Sequence, residues 1–235
     1  MSELIGARLR RRVRTAGAVP LLTYYEPATG ARTELSAVTL LNWVDKTSHL
    51  LDELGVQPGD VVRLALAEEA PGHWVTAVWE LACWQVGAAV AVGHPAGAAL
   101  VVTGPAWAAH ADADVDVLAC SLHPLGLPFG AGLPPTVSDY ALEVRGQPDV
   151  YPAAPQSGLA PAWSDPERRL SQAELVELDP GPAGSRRLVR PDSPWPTAVE
   201  AVLRPLLAGG SAVVVAGPAT EDQLARICRD ERVLA

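Results

Sequence analysis

A chain of 235 residues is long enough to bury a substantial core, either as one domain or as one domain with an irregular second part. Hydrophobic residues make up 49% but aromatics only 5%, so that core is built mainly from Ala, Val and Leu. The net charge of −9 excludes a phosphate-backbone partner such as nucleic acid as a first expectation, and no uninterrupted apolar stretch of about 20 residues exists to span a membrane.

The chain opens on a basic run, Arg8, Arg10, Arg11, Arg12 and Arg14, with Leu4, Ile5, Leu9 and Val13 on the other side of a helix. The run reads as the solvated face of that helix, and no apolar h-region follows it, so a secretory signal is not expected. Leu21 to Tyr25 and Arg32 to Leu35 flank Glu26-Pro27-Ala28-Thr29-Gly30, which predicts a hairpin. Leu40, Val44, Thr47, Leu51 and Leu54 then fall on one helical face. Gly55 stops this helix, because glycine enters the left-handed C′ conformation without steric cost. Pro58-Gly59 suits the centre of a type II turn, and Val61 to Leu66 is a β-rich run. Trp74, Val78, Leu81 and Gln85 trace a second helix, ended by Gly87, and Ala88 to Val92 is a further short strand.

The rhythm continues with strands at Ala99 to Val102 and Val115 to Ala119, and a short helix near Pro105 between them. Pro148 to Pro196 holds 10 of the 22 prolines, so it reads as a loop segment with one short helix near Ser171 to Leu178. Thr197 to Ala208 is predicted helical, with a kink at Pro205, and Thr220 with Gln223 forms a capping box for a helix to Asp230. Strands alternating with helices imply an α/β fold: a mostly parallel, doubly wound sheet flanked by helices. The expected division is a βα domain over 1–147, the Pro/Gly-rich segment 148–196, and 197–235 returning to the same domain.

Two segments carry a family resemblance. Leu54-Gly55-Val56-Gln57-Pro58-Gly59-Asp60-Val61-Val62-Arg63-Leu64 resembles the "LGVxPGDxVxL" segment that follows the first amphipathic helix in adenylate-forming enzymes, the AMP-binding acyl-CoA synthetases and their relatives. Leu206-Leu207-Ala208-Gly209-Gly210-Ser211, followed by Ala212-Val213-Val214-Val215, is similar to that superfamily's "pLlaGgxvvl" step from helix to strand. The chain resembles a short, diverged, actinobacterial-type branch matching only the N-terminal part of these enzymes. Neither segment is catalytic in the family.

The resemblance implies chemistry that the chain lacks. Adenylate-forming enzymes join a carboxylate to the α-phosphate of ATP, and the developing charge is held by backbone amides, a metal ion and lysine. The family's Gly/Ser/Thr-rich loop ending in Pro-Lys-Gly has its counterpart by position at Gln156-Ser157-Gly158-Leu159-Ala160-Pro161-Ala162. Ser157 and Gly158 read as relics of that phosphate loop, while the threonines, the second glycine and the lysine are gone. Lys46 is the single lysine of the chain and reads as a solvated helix residue.

Other chemistry is sparse. There is no GxSxG elbow and no GxxxxGK[ST] loop. His110 and Asp114 form an HxxxD spacing that some acyltransferases use, here in a polar loop. Asp112, Asp114 and Asp116 alternate like the start of a calcium loop, but Val117 stands at the sixth position and His123 at the twelfth. His73 reads as a helix cap, and Gly130-Ala131-Gly132 precedes prolines rather than a helix. Cys83, Cys120 and Cys228 have no metal spacing and fit buried thiols in a reducing cytoplasm. Trp43, Trp74, Trp79 and Trp84 fall on the two N-terminal helices, while Trp107, Trp163 and Trp195 mark a candidate contact surface.

The expectation is therefore a degenerate, non-catalytic relative of AMP-binding enzymes that binds a protein or small-molecule partner, without cofactor or metal, with a homo-oligomer left open. The competing expectation is an acyl-CoA synthetase or other AMP-forming ligase with diverged motifs, completed by another chain and using ATP or AMP.

Overall fold

The computed structural model describes residues 3–111, 114–130 and 132–233. The first helix, α1 (Ile5–Ala16), buries Ile5 and Leu9 and turns its arginines outward. Two of those arginines are not merely solvated: Arg10 donates to the Tyr151 carbonyl at 3.1 Å and Arg12 to the Gly209 carbonyl at 2.9 Å, fastening α1 to distant loops.

Strands β1 (Pro20–Glu26) and β2 (Ala31–Ser36) form the expected hairpin. Helix α2 (Ala37–Glu53) starts at Ser36, whose hydroxyl accepts from the Thr39 amide, and buries Leu40, Val44, Thr47 and Leu51. Gly55 follows at φ +80° and Gly59 at φ +95°, with the Asp60 amide donating to the Gln57 carbonyl at 3.0 Å, as a type II turn over Pro58-Gly59 requires. This turn delivers the chain into β3 (Val61–Leu64). A short helix α3 (Leu66–Glu69) comes next, then α4 (Trp74–Val86), which is buried at every position. A helix apolar all round belongs in the interior; α4 packs on α1, α2, β1 and β4 and so joins the two sheets into one core. Among the described residues no helix is long and apolar enough to cross a membrane.

The remaining elements are β4 (Ala89–Ala91), β5 (Leu100–Thr103), β6 (Val117–Ala119), β7 (Val137–Asp139) and α5 (Tyr140–Glu143), then β8 (Pro161–Ser164), β9 (Arg169–Ser171), α6 (Gln172–Val176) and β10 (Arg186–Val189). The chain closes through α7 (Pro194–Ala198), a π-helical turn over Val199–Leu203, α8 (Arg204–Ala208), β11 (Ser211–Val215) and α9 (Glu221–Asp230). The π turn takes up what the sequence predicts as a kink. Pro205 has no N–H to donate, and its ring crowds the preceding turn, so the helix widens just before it.

The strands are shared between two sheets rather than one. The first has the order β10-β11-β1-β2 and the second β7-β6-β5-β3-β4-β8-β9. Every pair is parallel except β1 with β2 and β8 with β9, so the mostly parallel α/β reading stands. The segment 148–196 departs from its reading as loop. It supplies β8, β9 and β10 as well as α6, because Pro161 falls at the first position of β8 and Pro166 in the turn after it, which leaves β8 free to pair with β4.

Candidate functional site

Open α/β sheets take ligands beyond the carboxyl ends of their strands, where the strand order reverses. In the seven-stranded sheet this point lies between β3 and β5. The chain leaves β3 for β4 on one side, returns to the other side as β5, and continues outward through β6 and β7. A cleft of about 560 Å³ opens there.

Arg63 is its centre. On β3, Val62 and Leu64 are buried on one face while Arg63 projects from the other, level with Val101 of β5. One terminal nitrogen, Nη1, lies 3.4 Å from His110 Nδ1, and the other, Nη2, lies 3.4 Å from His94 Nε2. The buried Nε has no hydrogen-bond partner, and no carboxylate among the described residues lies within ion-pair distance of Arg63. A guanidinium can only donate, so each facing imidazole nitrogen is in its unprotonated form in these contacts. Burial, and then the positive charge of Arg63, hold His110 below the ordinary histidine range, against Glu69 and Glu68.

Three loops build the cleft. After β4, Gly93 at φ +90° bends the chain so that His94 meets Arg63, a conformation glycine adopts without strain. After β5, Ala106, Ala109 and His110 form one wall. After β3, α3 brings Glu68 and Glu69 to the lining. The Glu69 carboxylate accepts from the Thr103 hydroxyl at 2.6 Å and from the amides of Gly104 at 2.9 Å and Ala106 at 3.0 Å, so it fixes the loop that carries His110.

Ser157 and Gly158 lie elsewhere. They precede β8, at the amino end of the parallel strands, and the cleft is beyond the carboxyl ends. The Ser157 hydroxyl accepts from the Leu159 amide at 3.2 Å, and the Gly158 carbonyl from the Ala173 amide at 2.8 Å, which anchors α6. On the carboxyl side of β8 stands the tip of the β8–β9 hairpin. There the Asp165 carboxylate accepts from the amides of Glu167 at 2.8 Å and Arg168 at 2.9 Å, from Trp163 Nε1 at 2.8 Å, and from the Arg168 guanidinium at 2.6 Å. Burial raises the Asp165 pKa, but these donors outweigh it and hold the group below the ordinary carboxylate range. The two backbone amides at this tip thus serve the chain's own anion. Lys46 is likewise committed: its ammonium pairs with Asp149 at 3.1 Å and donates to the Gln147 carbonyl.

The other sequence candidates divide. His110 enters the cleft, but its Nδ1 faces Arg63, so it does not pair with Asp114 as an HxxxD general base. Asp112 of the calcium-like series and Ala131 of the Gly-Ala-Gly run lie outside the described residues. Among the described residues no three His, Cys, Asp or Glu side chains gather to hold a metal ion. His73 caps α4, its Nδ1 accepting from the Val75 amide at 3.2 Å. Cys83 and Cys120 are buried, and burial pushes both thiols up out of the reactive range. Trp163 is not on a contact surface. It is 1% exposed on β8, and Trp195 packs on it at 5.0 Å between ring centres. Trp107 is half-buried against Val101 and Val117. Sequence reasoning missed Arg63 and His94; the available signal was a cation inside an apolar parallel strand, where the usual run is unbroken.

The architecture is that of the N-terminal domain of acyl-CoA synthetases. An acyl-CoA synthetase of Brucella canis superposes with a TM-score of 0.75 at 19% identity, covering 98% of this chain and 46% of its own. The N-terminal domain of FACL13 from Mycobacterium tuberculosis gives 0.70 at 17% identity, covering 99% of this chain and 62% of that one. The same domain with an inhibitor bound gives 0.68. The chain thus spans about half to two thirds of the solved chains it matches. A scan against models of known families finds no match. A Mycobacterium tuberculosis protein named as a TIGR03089 family protein is 37% identical over 229 residues, 92% of this chain and 91% of its own length. The chain belongs to that family.

Proposed function

We propose that this protein is a non-catalytic binding module built on the acyl-CoA synthetase N-terminal scaffold, holding a small molecule in the cleft between β3 and β5 rather than activating an acid with ATP. The observation that carries the reading is Asp165. At the carboxyl side of β8, where backbone amides gather, two of them are already bonded to this carboxylate. The single lysine is bound to Asp149 and gives no free ammonium for a transferring phosphoryl group. The inhibitor-bound FACL13 domain supports the other half of the reading, because a domain of this fold takes a small molecule. The buried thiols suit a cytoplasmic setting.

The test is ATP–pyrophosphate exchange with a panel of carboxylic acids, together with thermal melting in Mg-ATP. The expected result is no exchange and no shift at millimolar nucleotide, whereas a bound ligand at about 100 times its dissociation constant adds about 2.7 kcal/mol. Exchange by the pure protein overturns the proposal. Exchange that appears only with a second chain establishes the ligase reading instead.

A further inference from the structure

We infer that the cleft at the β3/β5 switch point binds a small organic molecule through one phosphoryl group, gripped by Arg63 and flanked by His94 and His110. The inference rests on the binding-module reading for the cleft's being a ligand site, and adds the chemistry of the ligand.

Arg63 is the starting point. A half-buried cation on a sheet ordinarily finds a carboxylate, because an unpaired charge is costly to desolvate. Here, among the described residues, the Nε is buried without a partner, and Nη1 and Nη2 meet only imidazole nitrogens at 3.4 Å. Those contacts are longer than an ordinary hydrogen bond and are readily exchanged for an oxyanion. Charge-assisted bonds from a guanidinium to an oxyanion are shorter and stronger than bonds to a neutral ring.

The donor arrangement selects phosphate over carboxylate. A planar carboxylate has two oxygens, which the guanidinium fork alone would occupy. Two rings flank the fork, His94 on one side and His110 on the other. Once protonated or in the other tautomer, each can donate, and a phosphoryl group has a third oxygen to accept. The second pKa of a phosphate ester, near 6, lies close to that of imidazole, so binding and proton uptake are coupled.

The walls decide what is attached to that group. Ala65, Ala106 and Ala109 give apolar surface, and about 560 Å³ is far more than a bare phosphate fills, which favours an ester with an organic body. Glu68 and Glu69 also line the cleft. Glu69 is occupied by Thr103, Gly104 and Ala106, but Glu68 adds an exposed negative charge that repels a second and third phosphate. One phosphoryl group suits this balance, and a triphosphate does not.

The experiment is isothermal titration with sodium phosphate, glycerol 3-phosphate, sodium acetate and ATP at fixed ionic strength, on the natural protein, Arg63→Gln and His94→Ala. The expected result is saturable binding of glycerol 3-phosphate, weaker binding of phosphate, and none of acetate or ATP. Arg63→Gln should weaken the ester by about tenfold or more, the worth of a charged hydrogen bond. In proton NMR the ring resonances of His110 should titrate at higher pH when the ester is present, with Arg63, Glu68 and Glu69 as the charges that face it. Should Arg63→Gln fail to fold, His94→Ala decides, since that ring sits in a surface loop. The inference falls if neither phosphate binds at millimolar concentration, if acetate binds as tightly as the ester, or if folded variants keep full affinity. Exchange activity alongside phosphate binding at Arg63 would sink the non-catalytic reading and leave this site standing; silence in both assays would do the reverse.

Discussion

The Glu69 carboxylate, on the short helix after β3, accepts the Thr103 hydroxyl at the end of β5 at 2.6 Å. Glu69 follows β3 and Thr103 ends β5, the two strands at which the sheet order reverses, so one side chain ties together the segments leaving both strands. The Gly104 and Ala106 amides complete the same carboxylate, and the loop to His110 is set by this clasp.

Glu69→Ala leaves those two amides without their acceptor. The expected cost is about 1–2 kcal/mol, toward the low end for charged hydrogen bonds because the carboxylate is partly in water. Urea denaturation measures it, and amide exchange at Gly104 and Ala106 should accelerate. Unchanged exchange at both positions would show that the loop holds its shape without the clasp.

His73 makes stability depend on pH. Burial holds its pKa down at about 4, against a smaller opposing pull from the Leu122 backbone. The unfolded chain, with an ordinary histidine value of about 6.5, takes up the proton first. The contribution of the neutral ring is whole above about pH 6.5 and is lost as pH falls toward 4, by at most about 3 kcal/mol. His73→Asn keeps a capping side chain on α4 and should flatten the stability curve over that range. An unaltered curve would assign the acid sensitivity to other groups.

Glu80 has the opposite sign. It lies in the middle of α4 at 1% exposure, its Oε1 has no partner, and burial raises its pKa well above the carboxylate range. Such a group favours the folded state most when both states are protonated, and that advantage is lost as pH rises. Glu80→Gln, which keeps the shape and removes the ionisation, should raise the melting temperature at pH 7 and change little at about pH 4. Destabilisation at pH 7 would point to a bonded carboxylate instead.

The pair Trp163 and Trp195 separates packing from association. Trp163→Ala should cost about 3–5 kcal/mol, as for other buried aromatics. Trp195→Ala should cost less, since its ring is half-buried between Trp163 and the Arg168 guanidinium, 5.6 Å from its centre. Calorimetry of both variants checks the ranking. If Trp195→Ala changes the sedimentation of the protein and not its melting, the ring belongs to an interface.

Much of the fold was legible because its signals are local. The face Leu40, Val44, Thr47 and Leu51, the stop at Gly55, the turn at Pro58-Gly59 and the cap at Thr220 each depend on neighbours a few residues away. They are set by backbone sterics, side-chain period and capping bonds, which a sequence displays directly. The Pro-rich segment misled because β8 has little strand character of its own. Pairing with β4 on one side and β9 on the other makes it a strand.

By itself, the amino-acid order determined the α/β class, the order of its first elements and the local segments shared with the acyl-CoA synthetase N-terminal fold, all through contacts within a turn or two. The tertiary structure alone decided that β1 pairs with β11, that the strands divide into two sheets, and that Arg63, His94 and His110 share one cleft. Residues so far apart come together only when a hydrophobic core fixes the path of the chain. No local rule encodes that closure, because its free energy resides in the packing of the whole molecule.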